Sequence, residues 1–311
     1  MGPKSLLNMQ NKLIPAQLVT TFSHFHSFKI VAVIASLLTL SGCGALHSAP
    51  MWAPKVYGMD EVTPILYVEP IMSSEQRLEL QKQIELGRNQ THQFYGGIVT
   101  NPYFVACLTN ECAERFGSYG QRAAAYGDMA IRLTAKGLTA QLVAHEWSHA
   151  ELYRRVGGWW NARRIPRWFD EGVAVIVANE PKHSHENWQE IHMLKLATPK
   201  LAELISFGDW GRAVQKYGET SGDVPTNKHV VYTEAGHEVR TLLECRGQSA
   251  AIEVLDSVRS GEDFDGAYER LKGTCSRQVG TIVLGPAVLG KQTEPVLTEC
   301  LQHIRRFIPG C

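Results

Sequence analysis

Apolar positions recur along the chain in two periods, and the switch between them divides it. Residues 65–68 are a short β-prone run. Over 73–94, Leu78, Ile84 and Leu86 stand among polar residues, Ser73 or Ser74 is placed to cap, and Glu75 enters the first turn. That pattern predicts a helix. Residues 98–108 are β-branched and aromatic and predict a strand interrupted at Pro102. Within 123–134, Met129, Ile131 and Leu133 alternate with Ala130 and Arg132, as in a half-buried strand. From residue 138 helical spacing takes over. Thr139 is a candidate N-cap, and Gly157-Gly158 is a natural stop for a helix over 138–158. Pro166 suits a helix start and precedes the apolar run 173–178. Residues 178–187 read as a loop. Helices follow over 188–196 and 200–207, parted by Pro199, and a Gly-, Ser- and Asp-rich surface loop over 208–227. Residues 229–240, 249–258 and 264–271 complete the helical half, before an apolar, glycine-rich stretch at 280–286 and an amphipathic helix over 298–308.

Strands gathered before helices predict an α+β fold. A sheet lobe spans about 61–137, a helical lobe about 138–276, and a tail 277–311.

The helix over 138–158 contains His145-Glu146-Trp147-Ser148-His149, an H-E-x-x-H pattern. Positions four apart share a helix face, so both imidazoles project together. Two nitrogen ligands at that spacing suit one tetrahedral zinc ion, and Glu146 between them suits proton transfer from water. The competing reading is a solvated helix face carrying these residues by chance. Farther on, Pro166-Arg167-Trp168-Phe169-Asp170-Glu171-Gly172-Val173-Ala174 sets Glu171 in an apolar run, where a carboxylate is costly unless paired or bound to a metal.

H-E-x-x-H followed by W-[LF]-x-E-G-x-A resembles the signature of the gluzincin metallopeptidases, the thermolysin-like clan that includes aminopeptidase N. The resemblance spans roughly residues 127–241. It implies Glu171 as third zinc ligand beside His145 and His149, and Glu146 as general base. It also implies a small mixed sheet with an edge strand packed on the H-E-x-x-H helix, the strand before that helix offering its edge to extended peptide. Aminopeptidases carry G-x-M-E-N there, and the glutamate holds the substrate amine. The nearest match, Gly127-Asp128-Met129-Ala130-Ile131, lacks that glutamate and asparagine, so the resemblance points to an endopeptidase; Asp128 and Glu234 are the substitutes to consider. The stretch from His229 to Arg240 resembles the Y-E-K-G helix, whose tyrosine stabilises the oxyanion. It maps onto Tyr232, with His229 and His237 as rivals and a core tyrosine as the bland alternative. Asp170 reads either as a support for a histidine ligand or as an exposed helix carboxylate. His183, His185 and His192 read either as a second metal cluster or as solvated loop histidines.

Composition places this chemistry. Residues 1–28 hold no acidic group, and 30–40 is an apolar run too short for a bilayer, which needs about 20 residues, but suited to a signal peptide. It ends in Leu40-Ser41-Gly42-Cys43, which resembles a bacterial lipobox, so cleavage before a lipidated Cys43 is expected. An ordinary secretory signal with an incidental cysteine is the alternative. Gly44 in place of Asp resembles outer-membrane sorting, which implies an envelope lipoprotein facing the periplasm. The Ala-, Pro- and Gly-rich segment after it, to residue 60, reads as a tether. Charge balances at 31 basic and 31 acidic residues without a dense basic patch, which argues against nucleic acid as a partner. The partners expected are a peptide or protein substrate and, through the anchor, a membrane. Beyond Cys43, the six cysteines at 107, 112, 245, 275, 300 and 311 suggest disulfides between sequence neighbours.

Overall fold

Short β-prone runs between capped helices build the first half of the protein, for which the computed structural model describes residues 50–118, 120–217 and 229–280, side chains of 274–280 excepted. Strands β1 (Asp60–Thr63), β2 (Leu66–Val68), β3 (Tyr103–Ala106), β4 (Ala123–Tyr126) and β5 (Ala130–Leu133) form one mixed sheet in the order β1-β2-β3-β5-β4. β2, β3 and β5 run parallel, and β1 and β4 close the two sides antiparallel. Helix α1 (Ser74–Tyr95) begins at the expected cap: Ser73 Oγ accepts from Gln76 N, and Gln76 Oε1 accepts from Ser73 N. Helix α2 (Asn110–Arg115) follows β3, and the Cys107–Cys112 disulfide ties the two together. Cys245 is also disulfide-bonded; Cys43, Cys300 and Cys311 and the side chain of Cys275 lie outside what is described.

Two strand expectations are corrected. The strand expected over 123–134 is a hairpin: β4 pairs antiparallel with β5 across Gly127, whose φ of 59° suits only the turn. The edge strand packed on the H-E-x-x-H helix is therefore β4, and the strand directly before that helix, β5, lies inside the sheet. Nor is β5 half-buried. Ala130, Ile131, Arg132 and Leu133 are all buried, because Phe116 and Met51 cover the second face of the sheet. Arg132 survives there by donating to Phe116 O at 3.3 Å and the Tyr126 hydroxyl at 3.0 Å. The strand expected over 98–108 shortens to β3, because the N–H groups of Val99 and Thr100 turn to the Glu151 carboxylate. From residue 50 on, the stretch read as a tether packs instead, Met51 and Met59 being buried against that same face.

The second half is helical: α3 (Ala140–Arg155), α4 (Trp159–Ala162), α5 (Arg167–Ala178), α6 (His185–Met193), α7 (Phe207–Lys216), α8 (Val230–Arg246), α9 (Ser249–Arg259) and α10 (Phe264–Gly280). Thr139 caps α3 through its hydroxyl, and Gly157 and Gly158 end it with φ of 95° and 86°. Leu142, Val143, Trp147 and Ala150 pack one side of α3 on the sheet. Ala144, Leu152 and Val156 pack the other side among the helices. The fold is thus the small sheet plus helical lobe of an α+β protein, with α3 as the wall between.

The reading between 188 and 227 needs revision. α6 starts three residues early because Ser184 caps it, accepting from Asn187 N at 3.3 Å. Residues 200–207 hold only a short 3-10 turn, Leu201–Glu203, while α7 occupies part of the expected loop. A reciprocal cap between Ser206 and Asp209 starts α7, and Trp210 and Ala213 bury its inner side. Among the described residues no helix is long and apolar enough to cross a membrane. The signal segment 1–42 and the helix expected over 298–308 lie outside them.

Candidate metal centre

Two helices meet at the centre of the protein with their polar side chains turned toward each other. α3 presents His145, Glu146 and His149; α5 presents Asp170 and Glu171. Gly172 allows the fit on the far side of α5. A Cβ there would lie 2.4 Å from Ala235 O on α8, so only glycine lets the two helices approach so closely.

Glu171 is 3% exposed and its Oε2 stands 3.1 Å from His145 Nε2 and 3.7 Å from His149 Nε2. All three donor atoms lie within 4.8 Å of one another. A tetrahedral zinc ion with bonds of about 2.1 Å requires ligand atoms roughly 3.4 Å apart. Donor types and spacing therefore fit zinc. The set is the one expected from the sequence, and Glu146, 8% exposed, stands beside it.

Around the donors lies a second ring of contacts. His149 Nδ1 is 2.6 Å from Asp170 Oδ1, which fixes the ring and presents Nε2 inward. Asp170 is thus a partner of His149 and not an exposed carboxylate. Arg167, one turn back on α5, donates to both Asp170 Oδ2 and Glu171 Oε1. Sequence reading gave Arg167 no role, although its i+3 and i+4 spacing to two carboxylates on a helix was a usable signal. Burial raises the Glu171 pKa, but Arg167 and His149 outweigh it and hold the carboxyl well below its ordinary range. Burial disfavours the His149 cation as well, yet Asp170 and Glu171 push the metal-free imidazole up to about 9.

Tyr232 on α8 is half-buried, its ring 6.3 Å from that of His145. Trp210 supports it edge-on at 5.0 Å, and His183 stacks on it at 5.3 Å. Of its rivals, His229 lies beyond His183, ring to ring at 5.2 Å, and His237 stacks on Trp188 at 3.6 Å. Tyr232 is the candidate nearest the donors.

The second histidine cluster does not assemble a metal set. His192 bonds Glu234 at 2.7 Å, His185 meets Gln189 at 2.9 Å, and both lie in the aromatic stack around Trp188. His183 is no solvated loop residue either, being 4% exposed. Burial, then the cations of Lys182 and its neighbours, push its pKa down to about 2. Among the described residues one other metal-like group occurs, Glu69 with Cys107 and Cys112. There the cysteines are joined, and Glu69 accepts from Leu108 N, Thr109 N and the Thr109 hydroxyl, so it ties a turn. Both substitute amine anchors are paired: Asp128 with Arg154, and Glu234 with His192 and Trp188.

Set beside known proteins, the chain matches no family model, no curated protein and no solved structure.

Proposed function

We propose that the chain is a gluzincin-like zinc metallopeptidase that hydrolyses peptide bonds of extended envelope polypeptides, cutting within the chain. The observation that carries this reading is the convergence of His145, His149 and Glu171 beside Glu146, with Asp170 braced against His149. His145, His149 and Glu171 would hold a zinc ion, which would supply polarisation of a carbonyl and a water pKa lowered to roughly 7. A purely structural site has no use for Glu146, which is not in the donor set. In the proposed reaction Glu146 accepts a proton as water attacks the carbonyl and returns it to the leaving amine. Such proton transfer is typically worth about 10²–10⁴-fold. The Tyr232 hydroxyl donates to the oxyanion, a contribution of about 2.7–4 kcal/mol where measured in other enzymes. The exposed side of β4 offers a backbone ladder to an extended chain, a mode of binding tolerant of sequence. Among the described residues Asp128 and Glu234, the two substitutes for an amine anchor, are both engaged, which supports internal cleavage. Lipid on Cys43 would hold this activity at the envelope membrane.

Internally quenched peptides blocked at both ends provide the test. The zinc-loaded protein should cleave them, and Glu146→Gln should retain zinc while losing about 10²–10⁴-fold in kcat. Trimming of free N-termini alone would overturn internal cleavage. Retained zinc with no Glu146-dependent hydrolysis of any peptide would leave an envelope binding or assembly factor as the reading.

A further inference from the structure

A cleft of about 350 Å³ opens at the N-terminal end of α3, lined by Arg122, Thr139, Gln141, Glu180, Pro181 and Lys182. Its position links it to the metal centre. Gln141 and His145 are four residues apart on α3 and share a face, offset by about 6 Å along the axis. On the opposite wall, Glu180 Oε2 is 3.7 Å from His183 Nδ1, His183 stacks on Tyr232, and Tyr232 faces His145. Arg122 directly precedes β4, the edge strand.

The cleft carries surplus positive charge. Glu180 is 8% exposed and already held by Lys182 Nζ at 2.7 Å and Arg122 at 3.8 Å. One buried carboxylate thus faces two cations, whose side chains remain 30% and 44% exposed toward the cleft and solvent. His183 and His229 add no charge near neutrality. Burial and the nearby Lys182 and Arg122 depress both, to about 2 and about 4. A basic substrate group would meet two cations that repel it and a single buried carboxylate already ion-paired with both. An acidic group would meet the reverse.

We infer that this cleft is a carboxylate-binding subsite of the peptidase, in which Arg122 and Lys182 recognise an acidic side chain or a C-terminal carboxylate of an extended substrate. The inference rests on the proposed peptidase reading for its substrate class. Arg122 and Lys182 are specificity-determining residues in this scheme and take no part in bond cleavage.

The test uses binding, so that it does not depend on turnover. Four fluorescein-labelled decapeptides of Gly, Ala and Leu, with a central Glu or Gln and a free or amidated C-terminus, are titrated with zinc-loaded Glu146→Gln protein by anisotropy. At least one carboxylate probe should bind about tenfold tighter than the Gln amide, the scale of a charged hydrogen bond. The Glu amide and the Gln free acid separate side chain from terminus. Lys182→Gln should shrink that preference, and the triple variant Arg122→Ala, Lys182→Ala, Glu180→Gln, which leaves no orphaned carboxylate, should abolish it. Equal or unmeasurable affinities for all four probes overturn the subsite, as does a preference that survives in the triple variant. If wild-type protein cleaves Glu and Gln peptides equally and the probes bind alike, the peptidase stands and the subsite falls. If no peptide is cleaved but the charge preference and its loss are observed, the subsite stands and the peptidase falls.

Discussion

The Asp170 carboxylate stands 2.6 Å from Nδ1 of His149, and this one contact settles which ring nitrogen faces Glu171. With Nδ1 committed to Asp170, Nε2 is left for the centre. Asp170→Ala should therefore keep the fold but weaken zinc binding about 10–100-fold, the usual cost of losing such a partner. Competition against a chelator measures it, and unchanged zinc affinity would remove Asp170 from the site.

Arg167 holds Asp170 and Glu171 in the metal-free protein, so its replacement should act mainly there. Arg167→Met leaves two adjacent buried carboxylates with only the His149 cation between them, a loss of up to about 3 kcal/mol. Zinc should restore much of it. Melting curves with and without zinc should therefore diverge more in the variant than in the wild type.

Gly172→Ala is a contest between two effects. Alanine raises helix propensity by about 1 kcal/mol. Its Cβ would also press on Ala235 O at 2.4 Å and Val239 Cγ2 at 2.7 Å, neither of which is a flexible side-chain end. Overpacking of this kind costs about 1–3 kcal/mol, so net destabilisation is expected. Because Glu171 is the preceding residue, zinc affinity should fall with the melting temperature. A variant as stable as the wild type would show that α5 and α8 can separate freely.

Acid should destabilise the fold through His183. Its pKa, about 2 when folded, lies below the ordinary 6.5. The unfolded chain therefore binds the proton first, and stability present above pH 6.5 is lost as pH falls toward 2. Each pH unit well below 6.5 is worth about 1.4 kcal/mol for this group, which amounts to about 2 kcal/mol at pH 5. Denaturant midpoints should fall between pH 7 and 5, and His183→Gln should remove its share of that fall, leaving the share that comes from His229, whose pKa is held at about 4.

How far the sequence could be read followed from how local each cause was. The Thr139 cap, the shared face of His145 and His149 and the glycines that end α3 depend on near neighbours, and all are where the pattern places them. Glu171 enters the expected donor set through the resemblance its motif carries; the apolar run around it says only that its carboxylate needs a partner or a metal. Arg132 misled because its partners, Phe116 O and the Tyr126 hydroxyl, come from covering segments that period-two alternation does not register. The hairpin at Gly127 was hidden because alternation keeps its period through a reversal of direction. α7 was obscured by Gly208 and Gly211, which outweighed the cap formed by Ser206 and Asp209. The ring of His183, Tyr232 and Trp210 joins three separate helical segments, and no spacing along one of them could reveal it.

The two buried sides of α3 have a further consequence, for the time the histidines spend exposed to solvent. Trp147 is locked to the sheet and Leu152 to the helices, while Glu151, with no exposed surface, accepts from Val99 N and Thr100 N and pairs with Arg155. No local fraying can free the middle of such a helix, because both lobes must release it together. Amide hydrogens of residues 143–150 should then exchange only through global opening, slower than those of α7, whose outer side faces water. A centre built on that helix is as durable as the whole fold.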